Sequence, residues 1–158
     1  MNTVAERLEP IQVTVTFLEM KRPPTIYAHP PVNLNVALMR TRDIPLHYYR
    51  YLMDRVGRKW HWVNVLRLSD EALEAKIRTP GRDIRVLYLD GAPAGFFDIN
   101  PLGTDETEIA YFGMMEHATG LGLGRWTSRR EPKTAVPLRR PLGAVGAMRR
   151  FALDRPVR

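Results

Sequence analysis

Between Gly120 and Gly124 the chain reads Gly-Leu-Gly-Leu-Gly, three glycines at alternate positions, followed by Arg125 and Trp126. Without a Cβ, such a stretch can curl tightly and let an anion approach the backbone closely. Where a helix begins directly after it, amides of the turn and of the helix N-terminus converge on one point, a place for phosphate oxygens. The spacing is not the dinucleotide fingerprint G-x-G-x-x-G, and no Lys-Ser/Thr follows as in a phosphate-binding P-loop. By itself the run is also compatible with a flexible connector. Other chemistries are poorly supplied. The absence of cysteine excludes a disulfide scaffold, a thiolate zinc site, an iron–sulfur cluster and a cysteine nucleophile. His29, His47, His61 and His117 are scattered without metal-ligand spacing, so no metal is expected, and no G-x-S-x-G nucleophile elbow occurs. Trp60-His61-Trp62 fits either the wall of an acceptor cleft or ordinary core.

The elements that must position the glycine run are read from periodicity. Ile11 to Phe17 alternates apolar and polar residues as a half-buried strand, and Val32 to Met39 returns to that alternation. Asp43 is placed to cap a helix that tolerates Pro45 in its first turn and runs to about Val56, with Gly57 just past its end. Leu46, Tyr49, Leu52, Met53 and Val56 share one face of it, while Tyr48 and Tyr51 fall near one another at i, i+3. Ser69-Asp70-Glu71 opens a second helix, Asp70 to Arg78, stopped by Thr79-Pro80-Gly81. Ile84–Leu89 and Ala94–Ile99 flank Asp90-Gly91 as a hairpin. After a polar loop from Pro101 to Glu106, Thr107 to Met115 forms another strand that leads into the glycines.

The segment Thr107-Glu108-Ile109-Ala110-Tyr111-Phe112-Gly113-Met114-Met115, a four-residue link and Gly120-Leu121-Gly122-Leu123-Gly124 resembles the acetyl-CoA segment of the GNAT (Gcn5-related) N-acetyltransferases. Many members read E-x-x-Y-F-G-x-x-P-x-x-x-G-x-G-x-G there, and the preceding order of strand, helix, helix, hairpin and strand follows the family's layout. The resemblance covers roughly residues 10–126. It implies an α+β fold: a mixed, antiparallel-rich sheet flanked by helices. It also implies a strand splayed at Met114 and Met115, whose backbone receives the pantetheine arm, and amides of Gly120, Gly122, Gly124 and Arg125 that receive the pyrophosphate. Glu108 lies where several members keep a carboxylate, in reach to take a proton from an acceptor amine; it also reads as a solvent-facing strand residue. Tyr111 and Phe112 read as core or pocket wall.

Departures from the family pattern are equally specific. Leu121 stands where a basic residue is usual between the first two glycines, and Glu116 replaces the usual proline, adding a negative charge beside a phosphate site. Both should weaken cofactor binding without removing the amide cradle. No tyrosine follows Tyr111, so the family's usual general acid is missing.

Charge and composition bound the remaining possibilities. A chain of 158 residues with 44% apolar and 26% charged residues is globular in composition and long enough to bury a core. Its net charge of +7 is confined to one end. Residues 1–126 hold fifteen basic and fifteen acidic side chains; residues 127–158 hold nine basic residues against Glu131 and Asp154. The neutral body carries no footprint for a polyanion. The tail contains four prolines and three Arg-Arg pairs, with one candidate helix at Ala144 to Leu153. The expected division is therefore an acetyltransferase-like unit over 1–126 and a basic, poorly packed tail over 127–158, which a truncation or a shift of reading frame would produce. No apolar run is long enough to span a membrane. Met1 to Pro10, with Glu6 and Glu9, lacks the apolar core of a signal peptide, which points to the cytoplasm. The resemblance implies an enzyme that moves the acetyl group of acetyl-CoA to a primary amine, on a small molecule or a peptide. The competing readings are a degenerate, inactive relative and, from another class, a binder of acidic partners through the tail.

Overall fold

A computed structural model describes residues 29–102 and 107–129. Along the chain run β1 (Val36–Thr41), α1 (Leu46–Gly57), α2 (Val63–Leu66), α3 (Asp70–Ile77), β2 (Asp83–Leu89), β3 (Ala92–Pro101), β4 (Thr107–Met114) and α4 (Leu123–Arg129). The strands form one sheet in the order β1-β2-β3-β4, each antiparallel to its neighbour. This is the expected α+β architecture, an antiparallel sheet with helices on both faces. The β2–β3 hairpin turns at Asp90 (φ 50°) and Gly91 (φ 83°), the paired left-handed conformations of a type I′ turn, whose twist suits the flanking strands.

Helix α1 is held by its apolar stripe: Tyr49, Leu52, Met53 and Val56 are buried, each contributing about 1.5–3 kcal/mol relative to exposure. Its start differs from expectation. Pro45 occupies the cap position, and no side chain caps the helix; Asp43 instead pairs with Arg78 at 3.2 Å, tying the entrance of α1 to the end of α3. Gly57 is the last residue of α1, not the residue after it, and its φ is an ordinary −92°. Its use is room, because the Trp62 side chain lies where a Cβ would stand. For α3 the expectation holds: the Ser69 hydroxyl accepts from the Ala72 amide at 3.2 Å.

The expected strand Val32 to Met39 is shifted. A turn bond from the Leu34 amide to the Pro31 carbonyl occupies its start, and pairing begins at Val36 and runs to Thr41, opposite Ile84. The expected strand at Ile11–Phe17 and the expected helix at Ala144–Leu153 lie outside the described residues. Helix α4 continues three residues past Trp126, and there Thr127 is buried with its hydroxyl donating to the Leu123 carbonyl at 2.7 Å.

Two apolar clusters sandwich the sheet. On one face Ile84, Val86 and Phe96 meet Tyr49, Leu52, Met53 and Leu73 of α1 and α3. On the other, Leu87, Leu89 and Ala94 meet Ala118, Leu123 and Trp126 from the loop and α4. No helix among the described residues is long and apolar enough to cross a membrane.

Candidate functional site

Strand β4 would place Glu108 and Tyr111 on opposite faces if it were regular, because side chains alternate and the two are three residues apart. A bulge changes that. Asp98 pairs with Tyr111 and Ile99 with Ile109, so Ala110 is the extra residue on β4. Glu108, Tyr111 and Gly113 thereby share the face that carries α1. Here α1 approaches closely: a Cβ on Gly113 would collide with Val56 Cγ1. Trp62, leaving the turn that follows α1, lies against Tyr111 with ring centroids 5.3 Å apart and planes tilted by 57°. Both rings and Glu108 are half-buried. The sequence alternatives for Trp62 and Tyr111 thus merge, since each packs against the core cluster and lines the same side of β4.

Beneath them is a group that sequence reasoning passed over. Asp98 is 0% exposed and the Arg82 side chain 4%. Arg82 Nε and Nη2 donate to the two carboxylate oxygens at 2.8 and 2.7 Å, and the Tyr49 hydroxyl adds a bond of 2.7 Å. Burial, reinforced by Asp98, holds the Tyr49 phenol far above its ordinary range. Burial also raises the pKa of Tyr111, again with help from Asp98, so its hydroxyl stays protonated. On Arg82 the cost of burial is outweighed by the bonds and charge of Asp98, which keep the guanidinium ionised. A signal existed: Asp98 is in phase with Phe96, two residues earlier on an apolar strand. What it meets there could not be read from the strand alone.

At the end of β4 the backbone divides its bonds. The Met115 amide donates to the Ala94 carbonyl at 2.8 Å, and its carbonyl accepts from the Ala118 amide. Antiparallel alternation then turns Gly113 and Tyr111 toward β3, and Phe112 and Met114 toward the outer edge. Among the described residues no strand pairs with that edge. Met114 therefore turns its backbone toward the unpaired edge, whereas the Met115 amide and carbonyl are engaged.

The glycine run follows after a single helical turn, Glu116–Ala118. Gly120 and Gly122 have φ of +83° and +76°, the left-handed region that glycine enters freely, and among the described residues no atom outside the neighbouring residues lies within 4 Å of where a Cβ on either would stand. Helix α4 starts at Leu123, and its first closing bond runs from the Trp126 amide to the Gly122 carbonyl at 3.2 Å. Its first turn, with Leu123 buried, Gly124 half-buried and Arg125 exposed, is the part whose amides the helix does not bond internally. Lys59, from the turn after α1, reaches Glu116 at 2.8 Å. That bond and its charge hold the Glu116 carboxyl below its ordinary pKa. The unfavourable negative charge expected at Glu116 is thus matched by a lysine 57 residues earlier in the chain. No group of three or more metal-ligating side chains occurs among the described residues.

No protein-family model matches, and no curated protein matches. Among solved structures, the chain is similar to an IAA acetyltransferase from Bacillus cereus ATCC 14579, with 18% identity and a TM-score of 0.41 over 60% of this chain and 54% of that one. It is also similar to a GCN5-related glucosamine N-acetyltransferase region of a fungal multi-domain GH3 β-N-acetylglucosaminidase. There the identity is 12% and the TM-score 0.37, over 59% of this chain and 11% of that one. The chain thus spans about half the length of the Bacillus protein it matches.

Proposed function

We propose that this chain binds acetyl-CoA and transfers its acetyl group to a primary amine. The observation that carries the reading is the continuity of two backbone features: the outward-facing edge of β4 at Phe112 and Met114, and the open, left-handed Gly120–Gly122 turn that leads into α4. An extended amide-bearing arm fits the first, and a pyrophosphate fits the second. The turn leaves open the space where side chains on Gly120 and Gly122 would stand, and the start of α4 adds its partial positive charge.

Acetyl-CoA supplies an acyl group already activated as a thioester. The chain's own residues do the rest. The outward backbone of Phe112 and Met114 aligns the pantetheine arm beside β4, and Gly120, Gly122, Gly124 and Arg125 hold the phosphates. Glu108 takes the amine's proton, directly or through a water, as the new C–N bond forms and the C–S bond breaks. The departing sulfur takes its proton from solvent. Positioning supplies most of the rate enhancement.

Thermal melting of the full chain with and without CoA tests the binding half. Stabilisation should be clear in the parent and lost in Gly122→Val, whose β-branched side chain cannot hold φ near +76°. Loss of two charge-assisted bonds, each worth about 1.5–3 kcal/mol, corresponds to at least about a hundredfold in affinity. Glu108→Gln should keep CoA binding while it lowers turnover. Equal stabilisation of parent and Gly122→Val would leave the loop a connector and remove the main support for the reading.

A further inference from the structure

The face of β4 shared by Glu108 and Tyr111 has an unsatisfied polar neighbour on β3. Asn100 sits opposite Glu108 in the β3–β4 register, and its side-chain oxygen is buried with no hydrogen-bond partner among the described residues. A buried acceptor left without a donor is costly, so its retention beside a carboxylate calls for explanation. Cross-strand neighbours have Cβ atoms about 4.5–5.5 Å apart, close enough for two side chains to hold one small group.

Charge narrows what that group can be. Asp98, also on this face, is saturated by Arg82 and Tyr49, and Lys59 and Glu116 neutralise one another at the end of β4. Among the described residues Glu108 takes part in no ion pair. Next to it, Trp62 and Tyr111 meet at a 57° tilt, which makes a corner of two π surfaces. A carboxylate, a spare amide oxygen and an aromatic corner are together complementary to one ammonium group: three N–H donors for the oxygens and a positive charge for the ring faces. On the Gly113 side of the corner the Val56 side chain lies against the backbone, an apolar wall that offers nothing to a second charge or to sugar hydroxyls.

We infer that Glu108, Asn100 and the Trp62–Tyr111 corner form the acceptor subsite, and that it selects a monocationic primary amine on an aromatic or apolar stem. The inference rests on the transferase reading for its role, but not for the binding itself. Its test is calorimetric titration of the full chain, without CoA, using 2-phenylethylamine, spermidine, glucosamine and the neutral 2-phenylethanol. The expected order places 2-phenylethylamine at least about tenfold tighter than each of the others. Tyr111→Leu and Trp62→Leu should each weaken it about tenfold, and Glu108→Gln by a similar factor. Trp62→Phe, which keeps a ring and spares the packing on Gly57, should change it little. Circular dichroism establishes that each variant is folded; should Trp62→Leu not fold, Tyr111→Leu and Trp62→Phe decide. Spermidine or glucosamine binding as tightly as 2-phenylethylamine, or Tyr111→Leu binding like the parent, would overturn the subsite. Equal binding of 2-phenylethanol would overturn its ammonium character. If the amine order holds while CoA fails to stabilise the chain, the subsite stands and the transferase reading falls. CoA stabilisation without the amine order gives the converse.

Discussion

The two faces of the sheet are built by different means. The face under α1 and α3 buries large side chains around a charged triangle, Arg82–Asp98–Tyr49, whose polar atoms are fixed by bonds of 2.7–2.8 Å. The face under α4 is a smaller apolar cluster approached by a loop with two left-handed glycines and exposed Leu121. One face specifies position through directional bonds; the other leaves backbone accessible. The bulge that brings Glu108 and Tyr111 together lies opposite Asp98, so the rigid network stands where register decides which side chains share a site. Among the described residues the glycine turn carries no comparable charged triangle, which suits the ligand contact proposed for it.

The comparison can be broken most sharply at Asp98. Asp98→Ala leaves Arg82 charged, buried and without its carboxylate, and should cost about 3–5 kcal/mol in urea unfolding. A smaller effect is expected of Tyr49→Phe, which removes one charge-assisted bond and should cost about 1.5–3 kcal/mol. It also carries a pH signature. The Tyr49 phenol is held above its ordinary value of 10.0 by burial and then by Asp98, so the folded state binds that proton more tightly than the unfolded chain. The stability this contributes is complete below about pH 10 and declines as pH rises further. Alkaline melts of Tyr49→Phe should therefore be flatter above pH 10 than those of the parent. A parallel decline in both would place the alkaline sensitivity elsewhere.

Gly113→Val probes how tightly α1 is seated on β4. The added side chain drives into Val56, and overpacking should cost about 1–3 kcal/mol, measured as a shift in the urea midpoint. The smallest effect belongs to Lys59→Ala. Its partner Glu116 is fully at the surface, so thermal stability should stay within error of the parent. CoA affinity should fall instead, more at low salt than at high salt, because an unmatched carboxylate then faces the phosphate site. Unchanged affinity at low salt would show that Glu116 lies too far from the phosphates to matter.

Local signals made much of the fold legible. The Asp90-Gly91 hairpin, the Ser69 cap, the buried stripe of α1 and the strand entering the glycine run all depend on neighbours within a few residues, and each occurs as read. Asp43 was misjudged because its competitor for bonding, Arg78, lies 35 residues away. The same distance problem hid Lys59 from Glu116 and Arg82 from Asp98. Of the site, Glu108 and the glycines were visible as residue types, while Trp62 and Tyr111 were visible only as aromatics with two open uses.

Residue order alone dictates which segments alternate, where helices can start, that no thiol chemistry is available, and that three glycines follow a strand. Those properties are carried by residue type and short-range periodicity. Strand pairing is what makes Glu108 and Tyr111 face the same way, turns the backbone of Met114 rather than Met115 outward, and sets Asn100 opposite Glu108. The reason is register: one extra residue at Ala110 reverses the side of everything beyond it, and a bulge is set by pairing with β3 rather than by any residue within β4.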